Sequence, residues 1–209
     1  MRRGPDVRIP TRRSLLTRLK NWDDQEGWRE FFDTYWNLIY GVAIKAGLGD
    51  AEAQDVVQET VIAVAKKMQD FHYDPSIGTF KSWLLHTTRW KIADQFRKRL
   101  RPEQARTRQP DEGTRTATVN RIPDPSGLEL EAVWDQEWEQ NLMEVALQRV
   151  KRQVTARQFQ IFDLYVLKEW PVGKVARSLG VSMGQVYLAK HRIAHLVKKA
   201  VRNLQAEPT

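Results

Sequence analysis

Cysteine is absent from this chain of 209 residues. That excludes disulfides and thiolate metal sites, and it suits a reducing compartment, so a cytoplasmic protein is expected. The four histidines are scattered and form no metal-ligand cluster. No apolar run approaches the ~20 residues of a membrane-spanning helix, so no membrane insertion is expected. The Arg-rich N-terminus is followed by no apolar core, so it is not a secretory signal. No paired-carboxylate motif supports a two-metal site. A metal-dependent nuclease built on His72, Asp74 and Asp94 is a poor reading, because Asp94 falls in the middle of a predicted helix. No metal and no cofactor are expected. Two further absences are local. Basic residues are missing from 128–147, and acidic residues are missing from 170–206.

What is present bounds the answer further. Hydrophobic residues make up 41% of the chain, enough for one or two small cores. The net charge of +8 favours a polyanionic partner, although basic balance alone is a weak pointer. Residues 1–13, rich in Arg and Pro, read as a disordered basic tail. Ser14 is placed to cap a short helix carrying Leu15, Leu16 and Leu19. Asn21-Trp22-Asp23-Asp24 opens a longer one. Trp28, Phe31, Phe32, Tyr35, Trp36, Leu38, Ile39, Val42 and Ile44 crowd that helix at helical spacings and predict core. Gly47 is placed to end it.

Residues 50–101 carry the densest pattern. Val57, Val61, Val64 and Met68 predict the inner stripe of one helix. Asp55, Glu59, Ile62 and Lys66 fall on another face, with Gln58 at its edge. As sequence alone, such polar residues are an ordinary solvated surface. The stretch from Phe71 to Gly78 is punctuated by Asp-Pro and Gly as a loop. Thr79 can cap a second helix, which no Gly or Pro interrupts before Leu100. Leu85, Thr88, Ile92 and Phe96 predict its inner stripe. Trp83, Trp90 and Arg97 share another face, with Arg89, Lys91 and Lys98 close by.

Beyond it, residues 102–127 are dominated by Pro, Thr, Arg, Gln and Gly and read as a flexible linker. Residues 128–147 form an acidic helix with Leu130, Trp134, Trp138 and Leu142 as its apolar stripe. It packs either on the C-terminal helices or on the first domain. Thr155 caps a helix expected to end near Lys168. Residues 171–204 then read as helix, glycine turn at Gly180, a second cap at Ser182, and a long helix, with Val181 and Val186 buried. Seven Lys or Arg and no acid lie between Trp170 and Ala206, as a phosphate-facing surface requires.

Asp55-Val-Val-Gln58-Glu59-Thr, then Phe80-Lys-Ser-Trp83-Leu84, then Arg89 and Asp94 followed by basic residues, resemble the second conserved region of bacterial sigma factors. The subgroup they resemble is the small, two-domain extracytoplasmic-function type. The match runs over about fifty consecutive residues in the right order, which is far more specific than a lone motif. The resemblance implies that Asp55, Gln58, Glu59 and Ile62 dock on core RNA polymerase. It implies that His72, Tyr73, Asp74 and Ser76 capture a base extruded from the non-template strand. Arg89, Trp90, Lys91, Arg97 and Lys98 would meet the so-called −10 element. The family often has a small polar residue where Trp90 stands, which leaves Trp90 open between a strand-separating wedge and a packing contact.

In the same way residues 128–206 resemble the family's fourth region, which reads the so-called −35 element. The implied contacts are Ser182, Gln185, Tyr187, Leu188, Lys190, His191 and Arg192. The chain departs from the common pattern here. Tyr187, Leu188 and Ala189 stand where the family often has Lys or Arg, Ser and Arg. An unusual upstream sequence or weaker direct readout is expected, and Leu188 is open between packing and DNA contact.

The expected fold is therefore all-α, with two helical domains joined by a flexible linker, the C-terminal one a helix-turn-helix. Residues 14–101 and 128–206 are the two domains. The expected partners are core RNA polymerase and promoter DNA, as duplex and as melted non-template strand. An anti-sigma protein is a further partner that the resemblance admits. No enzymatic activity of its own is expected. The chain ends at Thr209, so no added C-terminal regulatory domain is expected. The competing reading is a stand-alone helix-turn-helix regulator that dimerises through its N-terminal domain.

Overall fold

The computed structural model describes residues 12–68, 79–100 and 127–205, and among them every regular element is helical. The loop residues His72, Tyr73, Asp74 and Ser76, the linker 102–126 and most of the N-terminal tail lie outside the described residues. The elements are α1 (Arg12–Arg18), α2 (Gln25–Lys45), α3 (Asp50–Met68), α4 (Phe80–Leu100), α5 (Gly127–Lys151), α6 (Ala156–Phe162), α7 (Val172–Leu179) and α8 (Met183–Gln205). Helix α1 begins at Arg12, so Ser14, the expected cap, falls two residues inside the helix start. Contacts divide the chain into a unit from Arg18 to Asn141 and a second from Leu142 onward, which also takes α1 up to Thr17.

Within the first unit α2 packs on α3 and α3 on α4. Asp24 is the N-cap of α2, accepting the Gly27 amide at 2.8 Å. Arg18 grips the same carboxylate with Nε at 2.7 Å and Nη2 at 2.9 Å, and reaches Glu30 at 3.2 Å. The Arg18 hydrogen bond, then the Gly27 amide, hold the Asp24 carboxyl at about 2, below its ordinary 3.8. A depressed folded-state pKa gives stability that is complete above the unfolded value and lost as pH falls through the folded one. Asp24→Ala is therefore expected to melt lower than wild type at pH 7. The gap should close as pH falls from about 4 towards 2, which a series of thermal melts reads directly. A gap that stays constant over that range would show that the cap acts without its charge.

Helix α2 ends with Gly47 at φ +94, where the Leu48 amide returns to the Ala43 carbonyl at 3.2 Å. This is the left-handed stop the sequence predicts there. The core of the unit holds Phe31, Tyr35, Leu38, Ile39 and Val42 of α2, Ala53, Val56, Val57, Val64 and Met68 of α3, and Phe80, Leu84 and Ile92 of α4. Three expectations shift here. Phe32, Trp36 and Ile44 are exposed, with Phe32 and Trp36 stacked on each other at 6.1 Å on the outer face of α2. In α3 the buried stripe is Ala53, Val56, Val57, Thr60, Val64 and Met68, and Val61 is only half-buried. In α4 it is Phe80, Leu84, Thr88, Ile92 and Gln95, so Leu85 and Phe96 are half-buried neighbours of the stripe. Each helix is rotated slightly from the apolar count, because a buried Thr or Gln takes a place that hydrophobicity alone gives to another residue.

The first half of α5 belongs to this unit. Trp134 is fully buried, and Trp138 stacks on Tyr35 with ring centroids 5.7 Å apart. Asn141 Nδ2 donates to the Thr34 carbonyl at 2.8 Å. Glu137 meets Lys45 at 2.6 Å, and Asp135 meets Lys81 at 2.6 Å. A Cβ on Gly41 would come within 2.8 Å of the Glu137 carboxylate, so a side chain there would make the end of Glu137 shift. Up to Asn141 the apolar and acidic groups of α5 find partners on α2 and α4, and the two contact units meet inside this helix.

In the second unit, Thr155 and Gln158 form a reciprocal capping box at the start of α6. The helix does not run regularly to Lys168. It widens over Asp163–Leu167 into a π turn, closed by the Lys168 amide on the Asp163 carbonyl at 2.8 Å. Ile161, Val175, Val186 and Ala189 form a small core, with Leu164, Tyr165, Trp170, Val172, Ala176, Leu179 and Val181 packed around it. Val186 is buried as expected, and Val181 is half-buried at the edge of this core. Helices α7 and α8 are joined by the three residues Gly180, Val181 and Ser182. Gly180 sits at φ +61, in the left-handed region. Gly180→Ala is expected to cost roughly 1–2 kcal/mol, measurable by urea unfolding. No loss would mean the turn relaxes without strain.

Candidate functional site

The α3 face is built by helical spacing. Asp55, Gln58 and Ile62 lie at i, i+3 and i+7, and all three are exposed, Ile62 to 46%. An isoleucine half out of water beside a carboxylate and an amide gives this face both apolar area and charge. Glu59 is on the shoulder and turned towards α4. Lys98 Nζ lies 2.7 Å from one of its oxygens and Lys91 Nζ 3.3 Å from the other. Burial pushes the Glu59 carboxyl up, but the Lys98 and Lys91 contacts outweigh it and hold it below its ordinary value.

The basic side of α4 is consequently tied to α3. Arg99 pairs with Glu52, whose other contact is the Gly49 amide at 2.8 Å. That Arg99 hydrogen bond, then the Gly49 amide, lower the Glu52 carboxyl. Arg97 pairs with Asp94 one turn away on its own helix. Of the expected −10 contacts, Lys91, Arg97 and Lys98 therefore already have carboxylate partners. Arg89 is half-buried. Trp90 donates its indole N–H to His86 Nε2 at 3.1 Å, with ring centroids 5.8 Å apart. Burial, then the charges of Lys67 and Arg89, lower the His86 pKa. Sequence reasoning missed Glu52 and His86. Glu52 falls three residues before Asp55, and its role becomes visible only when α3 and α4 are packed.

On α8 the seven expected residues separate into three groups. Ser182 and Gln185 cap the helix reciprocally: the Gln185 amide donates to Ser182 Oγ at 3.2 Å, and the Ser182 amide to Gln185 Oε1 at 2.9 Å. Their side chains are engaged in the helix start. Tyr187 is braced edge-on by Tyr165 at 5.9 Å, and Lys190 lies over the same Tyr165 ring at 5.4 Å. Leu188, His191 and Arg192 remain, and all three are exposed. Leu188 is 72% exposed, so it is not a packing residue. Lys174 covers the Trp170 ring at 3.7 Å on the neighbouring helix.

Residues 31–101 match the family described as Sigma-70 region 2. That span takes in most of α2, all of α3 and α4, and both faces described above. No curated protein matches the chain. Among solved structures, an RsbN–BldN complex matches at 16% identity over 88% of this chain and 97% of that chain, with a TM-score of 0.34. CnrH in complex with the cytosolic domain of CnrY matches at 18% identity over 91% and 96%, with a TM-score of 0.35. Among the described residues no helix is long and apolar enough to cross a membrane. The stretch similar to sigma-70 region 2, residues 31–101, is thus the three-helix core that carries the exposed acidic and apolar face.

Proposed function

We propose that the chain is an alternative sigma factor of the extracytoplasmic-function type, which binds core RNA polymerase and directs it to a subset of promoters. The observation that carries this reading is the coincidence of the region 2 match with an exposed Asp55–Gln58–Ile62 face. A carboxylate and an amide beside apolar area suit a partner helix rich in Arg. Arg89, Trp90, Lys91, Arg97 and Lys98, with His72, Tyr73, Asp74 and Ser76 of the preceding loop, take the −10 strand. Helix α8 takes the upstream duplex, supported by the short left-handed turn before it and by the absence of acid over 170–206.

Glu59 joins the two sides of the first unit. It borders the docking face and holds Lys91 and Lys98. Promoter phosphates meet cations that are already ordered, and must displace a carboxylate to use them fully. The chain needs no cofactor in this role, since catalysis resides in the polymerase, and it acts in the cytoplasm where the polymerase is. An anti-sigma protein is the further partner this reading admits. Gel filtration of the purified chain with core polymerase tests it. Co-elution at equal stoichiometry is the expected result. Separate elution, with the chain alone protecting a palindromic duplex, would replace the reading with a stand-alone regulator.

A further inference from the structure

The outward stripe of α8 has an unusual composition for a helix that meets DNA. Gly184, Tyr187, Leu188, His191, Arg192 and His195 fall at i, i+3, i+4, i+7, i+8 and i+11, and all are exposed. Only one of them is a fixed cation. Leu188 stands at the centre and is the most exposed large apolar residue among those described. Met183 and Tyr187 beside it are also open to water, at 56% and 45%. A single exposed leucine needs no explanation. This one is different because the surrounding 170–206 segment carries seven cations and no acid. A protein partner would have to bring its own acid to such a surface, whereas DNA brings it on every phosphate.

Gly184 adds a second observation. Its backbone is not in the left-handed region, and a Cβ there would meet only Ser182 Oγ, at 3.8 Å. The fold of the chain itself therefore does not require a glycine at this place. A bare backbone one turn before Leu188 lets the helix start come closer to whatever lies outside it. Tyr187 is held aside by Tyr165 and Lys190 lies on that ring, which leaves Leu188 and Arg192, one turn apart, with His191 beside them, as the residues free to project.

An apolar side chain has one specific target among base edges in the major groove, the C5-methyl group of thymine. We propose that Leu188 reads a thymine by its methyl group in the upstream element, one helical turn from the base step or phosphate met by Arg192. The inference rests on α8 being the helix that enters the upstream duplex. It makes the upstream preference of this factor depend on a methyl contact in place of the usual donor, and Leu188 a specificity-determining residue.

The test uses the full chain bound to core polymerase on the upstream sequence it selects from a randomised duplex. Each thymine is replaced in turn by deoxyuridine, which removes only the methyl. Burial of one such group is worth about fourfold in affinity. The expected result is one position at which wild type loses about that factor and Leu188→Ala shows no difference between the two bases. Because Leu188 is exposed, its replacement should leave the melting temperature unchanged, and a melt confirms it. Equal binding of thymine and deoxyuridine at every position would overturn the proposal, as would a difference that persists in Leu188→Ala. If Arg192→Ala still weakens binding in either case, α8 remains the duplex-reading helix. If no upstream sequence is selected at all, the reading of α8 fails as well.

Discussion

A chain carrying Asp55→Ala, Gln58→Ala and Ile62→Ala together is expected to bind core RNA polymerase thirtyfold to a thousandfold more weakly than wild type. The range corresponds to roughly 2–4 kcal/mol, the usual loss when the centre of a protein interface is truncated. All three side chains are exposed and lie on one face of α3, so their removal should cost the folded chain little. Circular dichroism should show the same helix content and melting temperature. Glu59 is deliberately left intact. Its removal would release Lys91 and Lys98 and change the DNA side at the same moment. Undiminished binding by the triple variant, measured by fluorescence titration against core, would return this face to ordinary solvated surface.

The second large effect concerns stability. Trp134→Ala is expected to destabilise the first unit by about 3–5 kcal/mol, as for other buried aromatics replaced by alanine. Trp134 is fully buried, packs against Trp138 at 5.9 Å, and through it supports the Tyr35 stack. Its indole N–H has no hydrogen-bond partner among the described residues. Trp134→Phe, which deletes that orphaned donor along with some volume, should therefore cost clearly less than Trp134→Ala. Urea unfolding reads both. Hydrogen exchange localises the effect: α2 around Thr34 should lose protection in the alanine variant, because Asn141 is hydrogen-bonded there. A loss below about 1 kcal/mol, with α2 unchanged, would mean that α5 rests on the unit without supporting it.

The all-helical fold was legible because long periodic runs and strong caps agree along the chain. Asp24, Gly47, Thr155 and Gly180 all act where their chemistry predicts. Helix faces were less legible. In α2 nine large apolar residues compete for one buried stripe, and periodicity could not say that Phe32 and Trp36 would be left outside. In α3 and α4 the polar Thr60, Thr88 and Gln95 are buried, against the rule that counts only apolar positions. The site was half legible. The exposure of Asp55, Gln58 and Ile62 follows from spacing alone. The ties from Glu59 to α4, and from Glu52 to Arg99, join residues 32–47 positions apart and depend on how two helices pack. On α8, Ser182 and Gln185 sit at the register of a reciprocal cap, a signal the sequence contained. The bracing of Tyr187 by Tyr165 depends on the π turn, which no local pattern announced.

Transcription by core polymerase from a library of random promoters, with and without the chain, tests the central claim most directly. The account predicts that the chain makes core initiate from a narrow set of templates sharing a −10 and an upstream element, and that core alone does not. Initiation that is equally unselective with and without the chain would contradict it.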